Sequence, residues 1–506
     1  MVVAVFVTAL AQLRFAMSVG FGRPFSAWSL ERLIEAIKET EREFGTIDAE
    51  GVELLSGPTL DEETRREAQL RRFRTQALRA ARHTAYYEEL FERLGLDPAR
   101  LGFEDISRIP PTSKAALRAD PGAFVSRVSS PQFCTTTTGT TGKPTNVCFS
   151  GYEMRTYIGL ASIALLIAGS ITPSDIVQVN TSSRATLGNA CFAGACAKIG
   201  AMVRPIGLIE PPRTLALLAE KHRIPGKKPQ VSYMNAYPSY LGELVESGLC
   251  LGYSPSDFGL ERIGLGGELV SEGLKMRALR LFGDAVEFDE GYGMTETWPL
   301  PGRRCSEGHL HFEPLTALLE VLALDTTKAQ EVSPGEAGTI VATPLPPYRD
   351  TTVLLRYDTQ DVARPIAAPS SCELRDQPAT SPLLGKLSLV ARHENGYTFP
   401  RDVLEALEED DNVPLPARYG FWAVPEGVCV EVVARETRPS VHRAIEARLE
   451  GRGVPVRELR LVTHRSELRS PVPLRCDLKE ETSFDLPGVS ATALGLAQME
   501  PETRAV

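Results

Sequence analysis

Thr135-Thr-Thr-Thr-Gly-Thr-Thr-Gly-Lys-Pro144 carries the strongest local signal in the chain. Gly139 and Gly142 tolerate positive φ, so successive backbone N–H groups at Thr137, Thr138, Thr140 and Thr141 are free to converge on one anion. Threonine hydroxyls add donors, and Lys143 adds a mobile cation suited to a phosphate or pyrophosphate. The loop is not a Walker A loop, because Pro144 follows the lysine where that motif needs Ser or Thr. The plainer alternative is a flexible Thr/Gly linker or a hairpin turn. Neither requires so many β-branched residues, nor Gly-Lys-Pro at its end.

Outward from this loop the texture is α/β. Short apolar runs (Ile176-Val-Gln-Val-Asn, Val231-Ser-Tyr-Met, Ile263-Gly-Leu-Gly-Gly, Val286-Glu-Phe) alternate with helical segments, the pattern of strands joined by crossover helices. Residues 318–362 are strand-rich, with Leu318-Leu-Glu-Val-Leu-Ala-Leu, Gly338-Thr-Ile-Val-Ala-Thr and Val353-Leu-Leu-Arg-Tyr. Upstream, residues 29–44 and 61–94 read as helices, and Thr112 or Ser113 as the cap of another. The Pro-, Ser- and Ala-rich stretch 365–382 reads as a loop. A compact α+β unit follows, with helices at 403–407 and 441–449 and strands at 428–434 and 459–462. The expected domains are a helical N-terminal extension (1–80), a large α/β domain (81–384), a small mobile α+β domain (385–490) and a disordered tail (491–506).

Length and composition bound the function. The chain has 506 residues, 43 % hydrophobic and 24 % charged, with a formal net charge of −10. That suits one large core plus a smaller domain and argues against a nucleic-acid role, which calls for a basic face. Nine cysteines without a CxxC pair point to a reduced, cytoplasmic protein. The apolar start, Met1 to Gln12, is shorter than a membrane span and is interrupted by Arg14, so a helix packed on the domain is expected. The run 158–171 contains Gly and Ser and is read as a core helix, with no membrane partner.

The loop from Thr137 through Pro144 resembles the pyrophosphate-binding signature of the adenylate-forming superfamily, (T/S)-(S/T)-G-T-T-G-x-P, shared by acyl- and aryl-CoA ligases, luciferases and peptide-synthetase adenylation domains. Three further motifs follow in order. Gly266-Gly267-Glu268 is similar to the turn that faces the adenine. Asp289-Glu290-Gly291-Tyr292-Gly293-Met-Thr295-Glu296 resembles Y-G-x-T-E. Arg356-Tyr-Asp-Thr-Gln-Asp361 is similar to (Y/R)-x-T-x-D. The resemblance implies that Tyr292 stacks on adenine, Thr295 reaches a phosphate, Glu296 holds Mg²⁺ and Asp361 binds the ribose hydroxyls. A hard cation is suited by carboxylate and phosphate oxygens together. Residues 83–130, with Ile109-Pro-Pro-Thr-Ser-Lys-Ala-Ala-Leu-Arg118, resemble the entry region of the phenylacetate-CoA ligase branch.

Adenylation is an in-line attack of a carboxylate on the α-phosphate of ATP. Both reactants are anions, so the work is positioning and charge neutralisation, and an ionised carboxylate needs no general base. The acid pocket is expected near Gly188, Tyr233, Tyr237, Gly264 and Gly266. The tyrosines line an aryl site or pack the core, the two readings weighing evenly.

Two features depart from the family pattern. Its C-terminal lysine has no counterpart in Arg469-Ser-Pro-Val-Pro-Leu-Arg-Cys-Asp477. Lys479 is the lysine left to fill the role, and a surface lysine is its plainer reading; Arg475 is another cation nearby. At the hinge, Gly385-Lys-Leu-Ser-Leu has Lys386 for the usual arginine and Ser388 for the acid. Both put the second half-reaction in more doubt than ATP binding. The expectation is therefore ATP- and Mg²⁺-dependent activation of an aromatic or arylalkanoic acid, then transfer to CoA or a carrier-protein thiol. The alternatives are capture by an amine or another nitrogen nucleophile in natural-product biosynthesis, or a degenerate nucleotide-binding homologue. A homodimer follows from the resemblance as an expectation. Cys305, His309, His311 and Cys372 match places where members of that branch carry a structural Zn²⁺. Ordinary surface histidines and buried cysteines are the favoured reading from sequence.

Overall fold

The computed structural model describes residues 2–44, 61–136, 145–182, 186–300, 302–324, 330–367, 372 and 374–477. The phosphate-loop residues Thr137, Thr138, Gly139, Thr140, Thr141, Gly142 and Lys143, and also Lys479, lie outside these. Of the described helices, none is long and apolar enough to cross a membrane.

The fold is α/β, as the alternating runs predict. Five parallel strands stand in the spatial order Met202–Pro205, Ile176–Asn180, Tyr233–Ala236, Arg262–Leu265, Glu287–Tyr292. In chain order this is 2-1-3-4-5, the doubly wound arrangement, whose crevice lies beyond the carboxyl ends of the strands where the order reverses. The Ile176–Asn180 strand is buried along its length, so it reads as a continuous apolar run with only Gln178 and Asn180 polar. Gln178 Nε2 donates to Asn180 Oδ1, and Asn180 Nδ2 to the carbonyl of Gly207, each at 3.0 Å. The sheet continues antiparallel through Gly302–Arg304, Leu310–Phe312, Ala379–Thr380 and Pro365–Ile366. Part of the stretch expected to be loop thus forms its edge.

Helices cover both faces. Gly151–Ile167 starts with a reciprocal capping box between Ser150 and Glu153. Glu153 is fully buried and also accepts from the backbone N–H groups of Asp350 (2.9 Å) and Thr351 (3.2 Å), so its burial leaves no unpaired oxygen. The apolar N-terminal run is the helix Val2–Phe21, packed on Ala27–Phe44. The helices expected as an N-terminal extension pack on the cores of the large unit. Ile34 and Ile37 enter the core under Val177 and Val179. Phe73, Ala77 and Ala80 of Glu62–His83 enter another core with Val353, Leu354 and Tyr357.

A second sheet orders Ala317–Ala323, Gly338–Pro344, Tyr357–Ala363 and Gly385–Lys386. Val353-Leu-Leu-Arg, expected as strand, does not join it. Arg356 has φ of 46° there, and its fully buried guanidinium is held by Glu320 at 3.0 and 2.8 Å and by the carbonyl of Ile109. The strand therefore begins one residue later. It also bulges: Asp358 lies opposite Val341 while Val362 lies opposite Thr339, and Gln360 between them has φ of 61°. The bulge re-aims Asp361.

The small unit has its own core of Val403, Leu407, Val430, Val432, Ile445 and Leu449. It holds the strands Tyr419–Val424, Gly427–Val433 and Val456–Val462 with the helices Pro400–Glu408 and Pro439–Gly451. Its contact with the large unit is close. A Cβ on Gly273, at the start of helix Glu272–Phe282, would lie 2.4 Å from the backbone of Glu408. The N-terminus of that helix meets two carboxylates: Glu272 N–H donates to Glu405 at 3.0 Å, and Ser271 Oγ donates to Glu408. Burial raises the Glu408 carboxyl to about 7.

Candidate active site

The carboxyl ends of two parallel strands carry Gly266–Glu268 and Tyr292–Glu296, and the second sheet brings Asp361 to Tyr292. Past Leu265 the chain turns through Gly266 and Gly267. Gly267 has φ of 84°, and a side chain there would press within 3.3 Å of Arg475 and Tyr237. Glu268 follows and is fully engaged. One oxygen accepts from Ser239 N–H (3.0 Å) and Oγ (2.6 Å), the other from Arg475 N–H (2.6 Å). It thus sits against the N-terminus of helix Pro238–Cys250, where negative charge is favoured.

Tyr292 ends its strand. Its hydroxyl donates to Asp361 Oδ2 at 3.0 Å, and burial holds that phenol well above its ordinary pKa. Asp361 Oδ1 pairs with Lys386 at 2.8 Å, directly across the sheet. The residue expected to stack on adenine and the acid expected at the ribose are therefore one bonded unit, and Lys386 completes it.

Glu296 is 2 % exposed. Its Oε1 accepts from Tyr357 Oη at 3.2 Å and pairs with Lys114 Nζ at 3.2 Å. Burial, and then the neighbouring Glu296 charge, raise the Tyr357 phenol. A carboxylate oxygen is a donor suited to a hard metal ion, so the chemistry of Glu296 fits the Mg²⁺ assigned to it by resemblance. Thr295 is half-buried beside it. Gly291 and Gly293 are exposed on either side of Tyr292.

Glu290 is held by Lys275 at 2.8 Å and by Arg304 at 2.5 Å. Tyr233 is a core residue: it packs on Phe192 and covers Gly264, whose Cβ would fall 2.4 Å from the Tyr233 hydroxyl. Of the two readings of the tyrosines, core packing holds for Tyr233. Tyr240 is likewise tied to Thr214 at 2.7 Å. Tyr237 is buried but lies under the Arg475 guanidinium, 5.2 Å from the ring centre. Gly188 has open space where its side chain would be.

Two cations have no role that sequence reasoning supplies. Lys114 reads as part of a helix start, yet the backbone of Thr112 bridges to Arg356 and Asp358 (2.8 and 3.0 Å) and so sets the lysine beside Glu296. Arg475 reads only as a nearby charge. Its Nε donates to Gly267 O at 2.7 Å, which brings the segment Arg475–Asp477 of the small unit onto the turn Gly266–Glu268. The collinear motifs locate the crevice, but nothing in the local sequence marks either long-range contact.

Cys305, His309, His311 and Cys372 converge, with ligand atoms all within 4.8 Å of one another. Cys305 and His309 close the turn between Gly302–Arg304 and Leu310–Phe312, with His309 N–H on Cys305 Sγ at 3.3 Å. His311 Nε2 is 3.3 Å from Cys372 Sγ, while Nδ1 faces Gln377 O at 3.4 Å. His309 Nδ1 is buried without a hydrogen bond; its nearest charge is Glu307, 4.0 Å away. Two thiols and two imidazoles are a donor set that a tetrahedral zinc ion takes, so the chemistry of these residues fits that ion.

No family model matches the chain. The phenylacetate-coenzyme A ligase of Thermus thermophilus is 28 % identical over 373 residues, covering 69 % of this chain and 77 % of that protein. Among solved structures, 2-hydroxyisobutyryl-CoA ligase in the postadenylation state with 2-HIB-AMP superposes with a TM-score of 0.67 at 19 % identity, over 80 % of this chain and 87 % of the other. The same ligase with 2-HIB-AMP and CoA in the thioesterification state gives 0.56 at 20 % identity over the same shares. At these identities the structural likeness is one of fold.

Proposed function

We propose, for a chain that is phenylacetate-CoA-ligase-like within the adenylate-forming superfamily, that it uses ATP to activate a carboxylic acid as an acyl-adenylate, releases pyrophosphate, and passes the acyl group to CoA. The observation that carries this reading is the convergence of Glu268, Tyr292 and Glu296, beyond the carboxyl ends of the parallel strands Arg262–Leu265 and Glu287–Tyr292, with Asp361 of the second sheet.

In this reading Tyr292 and Asp361 orient the nucleoside. Glu296 takes Mg²⁺, which when bound spreads the charge of the triphosphate. Thr137, Thr138, Gly139, Thr140, Thr141, Gly142 and Lys143 receive the departing pyrophosphate. The acid enters beside Gly188 and Tyr237, under Arg475; that one aromatic wall supports an aromatic or arylalkanoic substrate. Arg475 supplies positive charge where the family pattern has a lysine, a task also open to Lys479. Cys305, His309, His311 and Cys372 hold a structural Zn²⁺. It staples the hairpin whose first strand pairs with Tyr292, and it has no part in the chemistry. The nine free cysteines support a reduced, cytoplasmic setting. The domain boundaries near 80 and 385 and the homodimer stand as part of the same proposal.

A nitrogen acceptor is a second reading, favoured by one observation. The small unit is fastened to the large one by backbone contact at Gly273 and by Glu405, Glu408 and Arg277, and its hinge carries Lys386 and Ser388. A rotation that opens the thiol-transfer geometry must break all of these. The test is mass detection of acyl-AMP from a panel of aryl, arylacetic, cinnamic and aliphatic acids, followed by CoA, a carrier-protein thiol or an amine. Consumption of the adenylate by CoA supports the first reading, and consumption by amine alone supports the second. No acyl-AMP with any acid, despite ATP binding, overturns both and favours a binding-only homologue.

A further inference from the structure

The side chain facing Glu296 is unusual for its place. Lys114 is the first residue of the helix Lys114–Ala119, capped by Ser113, whose side chain accepts from Ala116 N–H at 3.1 Å. A cation in the first turn opposes the helix dipole, so the helix itself gains nothing from a lysine there. The lysine nonetheless reaches a carboxylate that is 2 % exposed, while remaining 30 % exposed itself. Two residues earlier the chain is fixed on the strand that carries Tyr357: Thr112 N–H donates to Arg356 O at 2.8 Å, and Asp358 N–H to Thr112 O at 3.0 Å. Two donors thus close on one oxygen: the Tyr357 hydroxyl and the Lys114 ammonium each lie 3.2 Å from Glu296 Oε1.

We propose that Lys114 is a positioning residue that holds the Glu296 carboxylate in the nucleotide-free protein and competes with the divalent cation for it, so that the metal enters with nucleotide rather than before it. This rests on the reading of Glu296 as the metal carboxylate. Burying a bare carboxylate is costly, and a neighbouring ammonium offsets that cost. The same ammonium repels a divalent ion from the site. A nucleotide brings its own phosphate oxygens, which accept both the metal and the released lysine; the partly exposed stem gives Lys114 the freedom to swing.

The test is Mn²⁺ binding to the full-length, nucleotide-free protein, followed by electron paramagnetic resonance, for the native chain, Lys114→Met, Lys114→Gln and Lys114→Arg. Removing the charge should tighten Mn²⁺ binding by about tenfold or more, and Lys114→Arg should restore the weak binding of the native chain. A merely structural lysine would not raise metal affinity. Met and Gln variants that bind no more tightly than the native chain, including no detectable binding by any, overturn the proposal. Adding Glu296→Gln to the Lys114→Met chain separates the two readings. If tight binding survives it, the metal sits elsewhere and the assignment of Glu296 fails. If binding needs Glu296 but ignores Lys114, only the role of Lys114 fails.

Discussion

Two surfaces meet at Glu268, and they are unequally legible in the sequence. On one side, the large unit presents Gly267, Tyr292 and Glu296 past its strand ends and Asp361 beside a bulge. On the other, the small unit presents Arg475, whose backbone N–H reaches Glu268 and whose side chain covers Gly267. The first surface is built from residues whose backbone must do something special: a left-handed glycine at 267, a bulge at Gln360, a strand end at Tyr292. Backbone demands restrict residue choice over several consecutive positions, and that leaves motifs. The second surface is built from single side chains that arrive from far along the chain, and one arginine or lysine leaves no motif.

That difference is tested hardest at the shared carboxylates. Glu296→Ala removes the candidate metal donor and leaves Lys114 unpaired, so adenylate formation should fall by roughly 10²–10³-fold, an effect of the size of losing one preorganised charge-stabilising group; a steady-state assay of acyl-AMP reads it. Asp361→Ala should raise KM for ATP by about 10- to 100-fold with a smaller change in kcat, since a hydrogen bond to a charged group contributes roughly 1.5–3 kcal/mol. A loss confined to kcat would move Asp361 out of nucleoside binding.

The small-unit side makes weaker, more graded predictions. Gly273→Ala forces a Cβ into the backbone of Glu408 and should destabilise the docked form by about 1–3 kcal/mol, as overpacking does. Limited proteolysis near Lys386 should accelerate. Glu408 gives a pH signature. Its folded pKa, about 7, lies above the ordinary 4.5. Between those values the unfolded chain has released the proton and the folded chain has kept it. Stability therefore falls as pH rises from about 4.5 to 7 and is flat above. Glu408→Gln should flatten that slope, measured by chemical denaturation at pH 5 and pH 8. A slope unchanged by the substitution would place its origin elsewhere. The smallest effect is at the Cys/His cluster: Cys372→Ser should remove about one zinc per chain and lower Tm, with little change in KM for ATP, because the cluster supports the strand next to Tyr292 and touches no nucleotide motif.

Most of the architecture follows from pattern. The strands at 176–180, 262–265, 317–323 and 338–344 and the helices of the small unit fall where periodicity puts them. The exceptions share a cause. Val353-Leu-Leu-Arg reads as strand by composition, but the buried Arg356–Glu320 pair and a positive φ at Arg356 divert the chain. Residues 365–366 and 379–380 read as loop, yet pair at the sheet edge beside His311. Tyr233 reads equally well as pocket or core, and only its packing over Gly264 decides. In each case a tertiary contact overrides a local preference, and one sequence does not encode tertiary contacts locally.

The most direct test of the account is carboxylate-dependent ATP–pyrophosphate exchange, measured on the native chain and on Glu296→Ala with the same acid panel. The account predicts exchange that requires one class of acid and Mg²⁺ and is lost in the variant. Exchange that persists undiminished in Glu296→Ala, or that is absent with every acid while ATP still binds, would contradict it.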